Sequence, residues 1–121
     1  MIFGLGTSPR FFLYSQPTDM RKGFDGLGGL VRNNLARDPM SGDVFIFMNR
    51  CRNLIKLLYW DQSGFVIFYK RLEKGTFQLP LRSKTQTSVI IPRDELLLIL
   101  EGIELENVKK KARYFSRKIV N

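Results

Sequence analysis

Residues 44 to 71 read VFIFMNRCRNLIKLLYWDQSGFVIFYKR. Three runs rich in β-branched and aromatic side chains, Val44 to Asn49, Leu54 to Trp60 and Phe65 to Arg71, are separated by Arg50 to Asn53 and Asp61 to Gly64. Links of four residues with Asn, Asp, Ser and Gly suit hairpins, so the stretch predicts an antiparallel three-stranded meander. Strand side chains alternate between faces, which puts Lys56, Leu58 and Trp60 on one and Ile55, Leu57 and Tyr59 on the other. Both faces are largely apolar. Either both are covered, or one stays open as an aromatic binding surface.

Before the meander, Arg10 to Ser15 (RFFLYS) is a short apolar run that suits a strand. Thr18 or Asp19 can cap a helix running to about Leu35, with Phe24, Leu27, Leu30, Val31 and Leu35 as its apolar stripe. Gly23, Gly26, Gly28 and Gly29 weaken it intrinsically and suggest close packing on the sheet, or room for a phosphate. Arg37 to Asp43 has the composition of a turn.

After the meander, Thr76 to Leu81 is an extended run interrupted near its end by Pro80, Lys84 to Ser88 is polar enough for a loop, and Val89 to Ile91 adds a short strand. A helix follows from Pro92 to Glu101: Pro suits its first turn, Asp94 and Glu95 its positive end, and Gly102 its C-terminal cap. The continuous run Leu96 to Leu100 implies burial, or a partner interface.

The expected fold class is therefore α+β: an antiparallel β-meander of about four strands packed with two helices, followed by a basic C-terminal tail. With 121 residues and 44% hydrophobic content, one modest core is affordable, and the reading is one domain over residues 1–108 plus a tail over 109–121. That tail, expected to be mobile until it meets a partner, carries six Lys or Arg and no acid, against 14 basic and 11 acidic residues before it. A net charge of +9 favours a polyanionic partner.

The single Cys51 allows no internal disulfide, and no run approaches the length of a membrane span, so a cytoplasmic protein without membrane attachment is expected. The chain has no His, which removes the commonest general base and imidazole metal ligands. No phosphate-binding loop or dinucleotide fingerprint occurs, since Gly23 to Gly29 lacks a following Lys-Ser/Thr. Asp19, Asp25, Asp61 and Glu73 are the carboxylates that a magnesium site would use, but Asp19 reads better as a helix cap, Asp61 as a turn residue and Glu73 as an ion-pair partner for Lys70, Arg71 or Lys74, and nothing in their spacing marks them as convergent. The expectation is no enzyme, no metal, no cofactor and no small-molecule substrate.

The groups suited to phosphate are Arg50 and Arg52 at one hairpin tip, Lys56 within the second run, and Lys70, Arg71 and Lys74 around the end of the third. In the tail, Lys109, Lys110, Lys111 and Arg113 stand beside Tyr114 and Phe115, a mixture that suits a nucleic-acid arm. Basic hairpins also serve simply as solvated edges that discourage aggregation. For a protein partner, Tyr59, Trp60 and Leu97 are the apolar candidates.

Several ordered strings carry a family resemblance. They are Pro17 to Leu27 (PTDMRKGFDGL), Asp38-Pro39 with Ser41-Gly42, Phe45-Ile46-Phe47 with Asn49-Arg50, Ile55 to Asp61 (IKLLYWD), Gly64-Phe65, and Tyr69 to Phe77 (YKRLEKGTF). Together they resemble the accessory protein, called TnpB or the second open reading frame, of the insertion sequence sixty-six group of bacterial transposons. The likeness is close over residues 10–80 and looser over 87–102. It implies a non-catalytic part in transposition and DNA recombination beside a separate transposase. The implied partners are transposon DNA ends, the element's transposase, or both. No catalytic residues come with the resemblance, and the tail lies outside it.

Overall fold

The computed structural model describes residues 8–102. The elements are β1 (Phe11–Tyr14), α1 (Phe24–Asn33), β2 (Val44–Met48), β3 (Leu54–Trp60), β4 (Phe65–Arg71), a 3-10 turn (Leu81–Lys84), β5 (Ser88–Ile91) and α2 (Arg93–Leu100). The five strands form one sheet in the order β4-β3-β2-β1-β5. The meander is present: β2 pairs with β3 and β3 with β4, both antiparallel. The sheet as a whole is mixed, because β1 runs parallel to β2 with Phe11 beside Val44. A helix between two strands carries the chain back to the starting end, so β1, α1 and β2 form a parallel crossover unit rather than another hairpin.

Both sheet faces are covered. Leu58, Phe45, Phe47 and Phe12 pack under α1 with Leu27, Val31 and Leu35. Ile55, Leu57, Ile46 and Leu13 pack under α2 with Leu96, Ile99 and Leu100. Double coverage explains why β2 is buried at all five positions and why its sequence shows no polar alternation. Phe77, fully buried on the α2 side, belongs to no regular element: residues 76–80 form no strand, because Pro80 cannot donate to a ladder and Phe77 N–H instead donates to the Arg52 carbonyl at 2.6 Å.

The first helix begins five residues later than a cap at Thr18 suggests, with Gly23 as its N-cap. The Asp19 carboxylate accepts from the Arg21 N–H and guanidinium, a local turn in place of a cap. Those bonds hold the Asp19 carboxyl down at about 2. The Met20 and Lys22 carbonyls, which a helix would need, accept instead from Lys56 Nζ at 2.8 and 2.9 Å. Nor do the glycines bring another backbone close: a Cβ on Gly26 would meet the Lys22 side chain, and one on Gly23 or Gly29 would meet nothing. The second helix is where expected but one residue shorter at each end, with Pro92 as N-cap rather than first helical residue, Glu101 as C-cap and Gly102 at φ 73° after it. Its Leu run divides: Leu96, Ile99 and Leu100 are buried, and Leu97 is half-exposed.

At the start of β2, partial burial pushes the Asp43 carboxyl up, but the Arg10 N–H and guanidinium and the Ser41 hydroxyl outweigh that and leave it below its ordinary value. A carboxylate depressed in the fold stabilises at neutral pH, and that contribution disappears as pH falls below about 4 toward its folded value. Melting curves from pH 7 to pH 2 are therefore expected to drop less steeply in acid for Asp43→Asn than for the parent chain; equal slopes would contradict this.

Candidate nucleic-acid interface

Register decides where the basic side chains go. Since β3 runs back against β2 and β4 back against β3, the tip after β2 and the end of β4 lie at the same end of the sheet. The two are tied by main-chain bonds: Leu72 N–H donates to the Asn53 carbonyl, and Phe77 N–H to the Arg52 carbonyl. Arg50, Arg52, Arg71 and Lys74, in two separate sequence clusters, thus share one end. The carboxyl ends of the parallel strands β1 and β2 open there too. Tyr14, Ser15, Gln16, Pro17, Met48, Asn49, Arg50, Arg52 and Leu79 line a groove of about 300 Å³ at that end. Ligands of sheets with helices on both faces characteristically sit outside the carboxyl ends of parallel strands.

The tip holds its shape through Asn49. Its side-chain oxygen accepts from the Asn53 and Leu54 N–H groups, and its amide donates to Asn53 Oδ1 at 2.7 Å. This closes the turn with Arg52 at φ 56°, a left-handed conformation that costs a residue with a Cβ about 1 kcal/mol relative to Gly.

The basic candidates have different surroundings. Arg50 and Lys74 are exposed, Arg52 is half-exposed, and none of the three has an ion-pair partner among the described residues. Arg71 pairs with Glu73 in an exposed salt bridge, which is weak and exchangeable. Lys70 Nζ donates to the Leu100 carbonyl at 2.6 Å, at the negative end of α2. Lys56 is buried, bonded to two carbonyls and set 4.6 Å from the Tyr69 ring centroid. A charge enclosed in this way is a structural clamp, which corrects its assignment as a phosphate contact. Lys56→Met keeps the stem and removes the ammonium; it is expected to cost about 2 kcal/mol in denaturant unfolding, and an unchanged midpoint would refute the clamp.

Most carboxylates sit elsewhere or are engaged, but Glu101, exposed beside Gly102, stands at the basic end without an ion pair among the described residues. Asp43 and Asp61 flank the opposite end of the sheet, beside β2's start and β3's finish, and Asp94 lies in the first turn of α2. Asp19 is paired with Arg21, Glu73 with Arg71. Among the described residues no group of three His, Cys, Asp or Glu is placed to hold a metal ion, and no helix is long and apolar enough to cross a membrane. Lys109, Lys110, Lys111 and Arg113 lie outside the described residues.

The apolar partner candidates do not form one surface. Trp60 lies on the α1 side of the sheet, edge-on to Phe65 at 5.0 Å between centroids. Tyr59 packs against the α2-side core, where burial, and secondarily Asp61, raises its phenol above the ordinary value. Leu97 faces outward from α2. Sequence reading missed Ser15, Gln16 and Asn49 as groove residues, since short polar side chains at strand ends carry no signal until the parallel pairing of β1 and β2 is known.

The family model described as IS66 Orf2 like protein matches residues 9–110. The chain belongs to the IS66 Orf2-like family. Two relatives in Sinorhizobium fredii (strain NBRC 101917 / NGR234) are similar to it. The uncharacterized protein y4jC is 33% identical over 102 residues, covering 84% of this chain and 86% of its own length. The uncharacterized protein y4hO is 33% identical over 99 residues, covering 82% and 84%. No solved structure matches. Family membership associates this IS66 Orf2-like protein with transposition in an accessory capacity, in a family not known to be catalytic. The match runs past Gly102 to residue 110, so the family extends into the first lysines of the basic tail.

Proposed function

We propose that this protein assists transposition by gripping DNA phosphates, with the transposon ends as the intended duplex, through the basic end of its sheet. The observation that carries the reading is the convergence of Arg50, Arg52 and Lys74 at one end, without ion pairs among the described residues, beside a groove of mixed polar and apolar lining. Arg71 joins them through a salt bridge that a phosphate could replace. Gly102, from which the basic tail continues, lies against Leu72 at that same end: a Cβ on it would sit 3.3 Å from the Leu72 methyls. Lys109 follows seven residues later in the sequence, at most about 25 Å of extended chain.

A basic two-stranded tip fits the major groove, where Arg can also read guanine edges. The test is binding of the full chain to duplexes carrying the transposon ends and to scrambled duplexes, across a salt series. Binding at about 50 mM salt that weakens log-linearly as salt rises is expected, and undetectable binding there refutes the proposal. Docking on the cognate transposase is the other role open to an accessory protein. It has less support, because Trp60, Tyr59 and Leu97 lie on three separate surfaces.

A further inference from the structure

We infer that β4 is a pairing edge, and that its occupant is β4 of a second copy of this chain, joined antiparallel about a two-fold axis at Phe68.

The two edges of the sheet are finished differently. In the β1–β5 ladder, Ser15 N–H donates to the Thr87 carbonyl, so the alternation of antiparallel pairs turns the main chain of Ile90 outward. That outward carbonyl is taken: Arg82 Nη2 donates to it at 3.1 Å, held in place by Glu95. The β5 edge is also only four residues long, and it is closed by an arginine.

On the other side, Leu72 N–H donates to the Asn53 carbonyl and Asp61 N–H to the Gly64 carbonyl, one at each end of the β3–β4 ladder. Alternation between them turns the main-chain groups of Phe65, Ile67, Tyr69 and Arg71 outward. Among the described residues none of these outward groups has a hydrogen-bond partner. The strand runs seven residues in unbroken register with β3, without proline or bulge. Its first five residues, Phe65 to Tyr69, are apolar or aromatic, yet no residue of β4 is buried. Lys70, the charge that could guard the edge, is turned under α2 onto the Leu100 carbonyl. Long apolar edges without such guards are templates for another strand.

Main-chain hydrogen bonding chooses the register. A two-fold at Phe68 sets Ile67 opposite Tyr69 and Phe65 opposite Arg71 of the second copy, and satisfies all four outward-facing residues with about eight main-chain bonds. Val66 then faces Lys70, and no two cations are opposed. A two-residue shift that centred the axis on Tyr69 would leave Phe65 unpaired and bring Lys70 opposite Phe68. The half-exposed Tyr69 gains an apolar neighbour in the chosen register. Antiparallel joining points the two basic ends in opposite directions, so each copy keeps its own free; the pairing stands or falls independently of the nucleic-acid proposal.

Sedimentation equilibrium of the full chain is expected to return twice its 14.1 kDa mass. Tyr69→Pro, which removes an outward N–H without breaking the β3 ladder, is expected to return the monomer with its helical and sheet circular dichroism intact. The register is read independently in a Cys51→Ser background: a mixture of Ile67→Cys and Tyr69→Cys chains should form a disulfide under mild oxidant, and Tyr69→Cys alone should not, its partner sulfur being too distant. A monomeric full chain, or a dimer without the mixed crosslink, would overturn the proposal. If chain shortened after Gly102 dimerised where the full chain did not, residues 103–121 would be the occupant instead.

Discussion

Replacing Arg50 by Ala, Arg52 by Gly and Lys74 by Ala together is expected to weaken duplex binding by roughly 10- to 100-fold at low salt, each exposed charge contact contributing up to about 1 kcal/mol. The salt dependence should flatten as well, with the log–log slope falling by about one for each lost phosphate contact. Stability should not follow affinity. None of the three side chains is buried or ion-paired among the described residues, and Arg52→Gly relieves a left-handed backbone at φ 56°. The triple variant is thus expected to melt at or slightly above the parent temperature while binding poorly. Unchanged affinity and slope, with the fold intact, would place the phosphate contacts elsewhere.

Phe77→Ala is expected to have the largest effect on the fold. Its ring is wholly enclosed on the α2 side of the sheet, among a cluster that includes Ile55, Leu57 and Leu96. Truncating a buried phenylalanine costs about 3–5 kcal/mol, which in a domain of this size lowers the melting temperature by roughly 15–30 °C. The position matters beyond the volume lost. Phe77 pins the segment after β4 beneath the sheet while its N–H holds the Arg52 carbonyl, so losing the ring loosens the strap between Lys74 and the hairpin tip. Calorimetry and the salt-series binding, both run below the melting transition, should therefore both change. A drop of less than about 1 kcal/mol would mean that the segment is not fastened by this side chain.

The meander was legible because it is local. Alternating apolar runs joined by four-residue polar links specify antiparallel neighbours without reference to anything distant, and the division of Lys56, Leu58 and Trp60 from Ile55, Leu57 and Tyr59 follows from the pleat alone. The second helix was legible for a similar reason, with Pro92 and Gly102 marking its ends through their own backbone preferences. The absence of histidine and the excess of basic charge were properties of composition, and the ordered strings from Pro17 to Phe77 were enough to point to the family.

What lies between distant residues was not legible. The parallel pairing of β1 with β2 depends on α1 crossing the sheet, and neither strand's sequence states its direction. The late start of α1 depends on Lys56, 34 residues beyond the second of the two carbonyls it holds. Its basic side chain looks in sequence like any other cation on a ribbon, and only the fold distinguishes one that is enclosed from one that is offered. The same holds for the convergence of Arg50, Arg52 and Lys74. Local preference wrote the elements, whereas burial and long-range hydrogen bonding, which cost too much to leave unsatisfied, decided which charges turned inward and which were left at the end of the sheet.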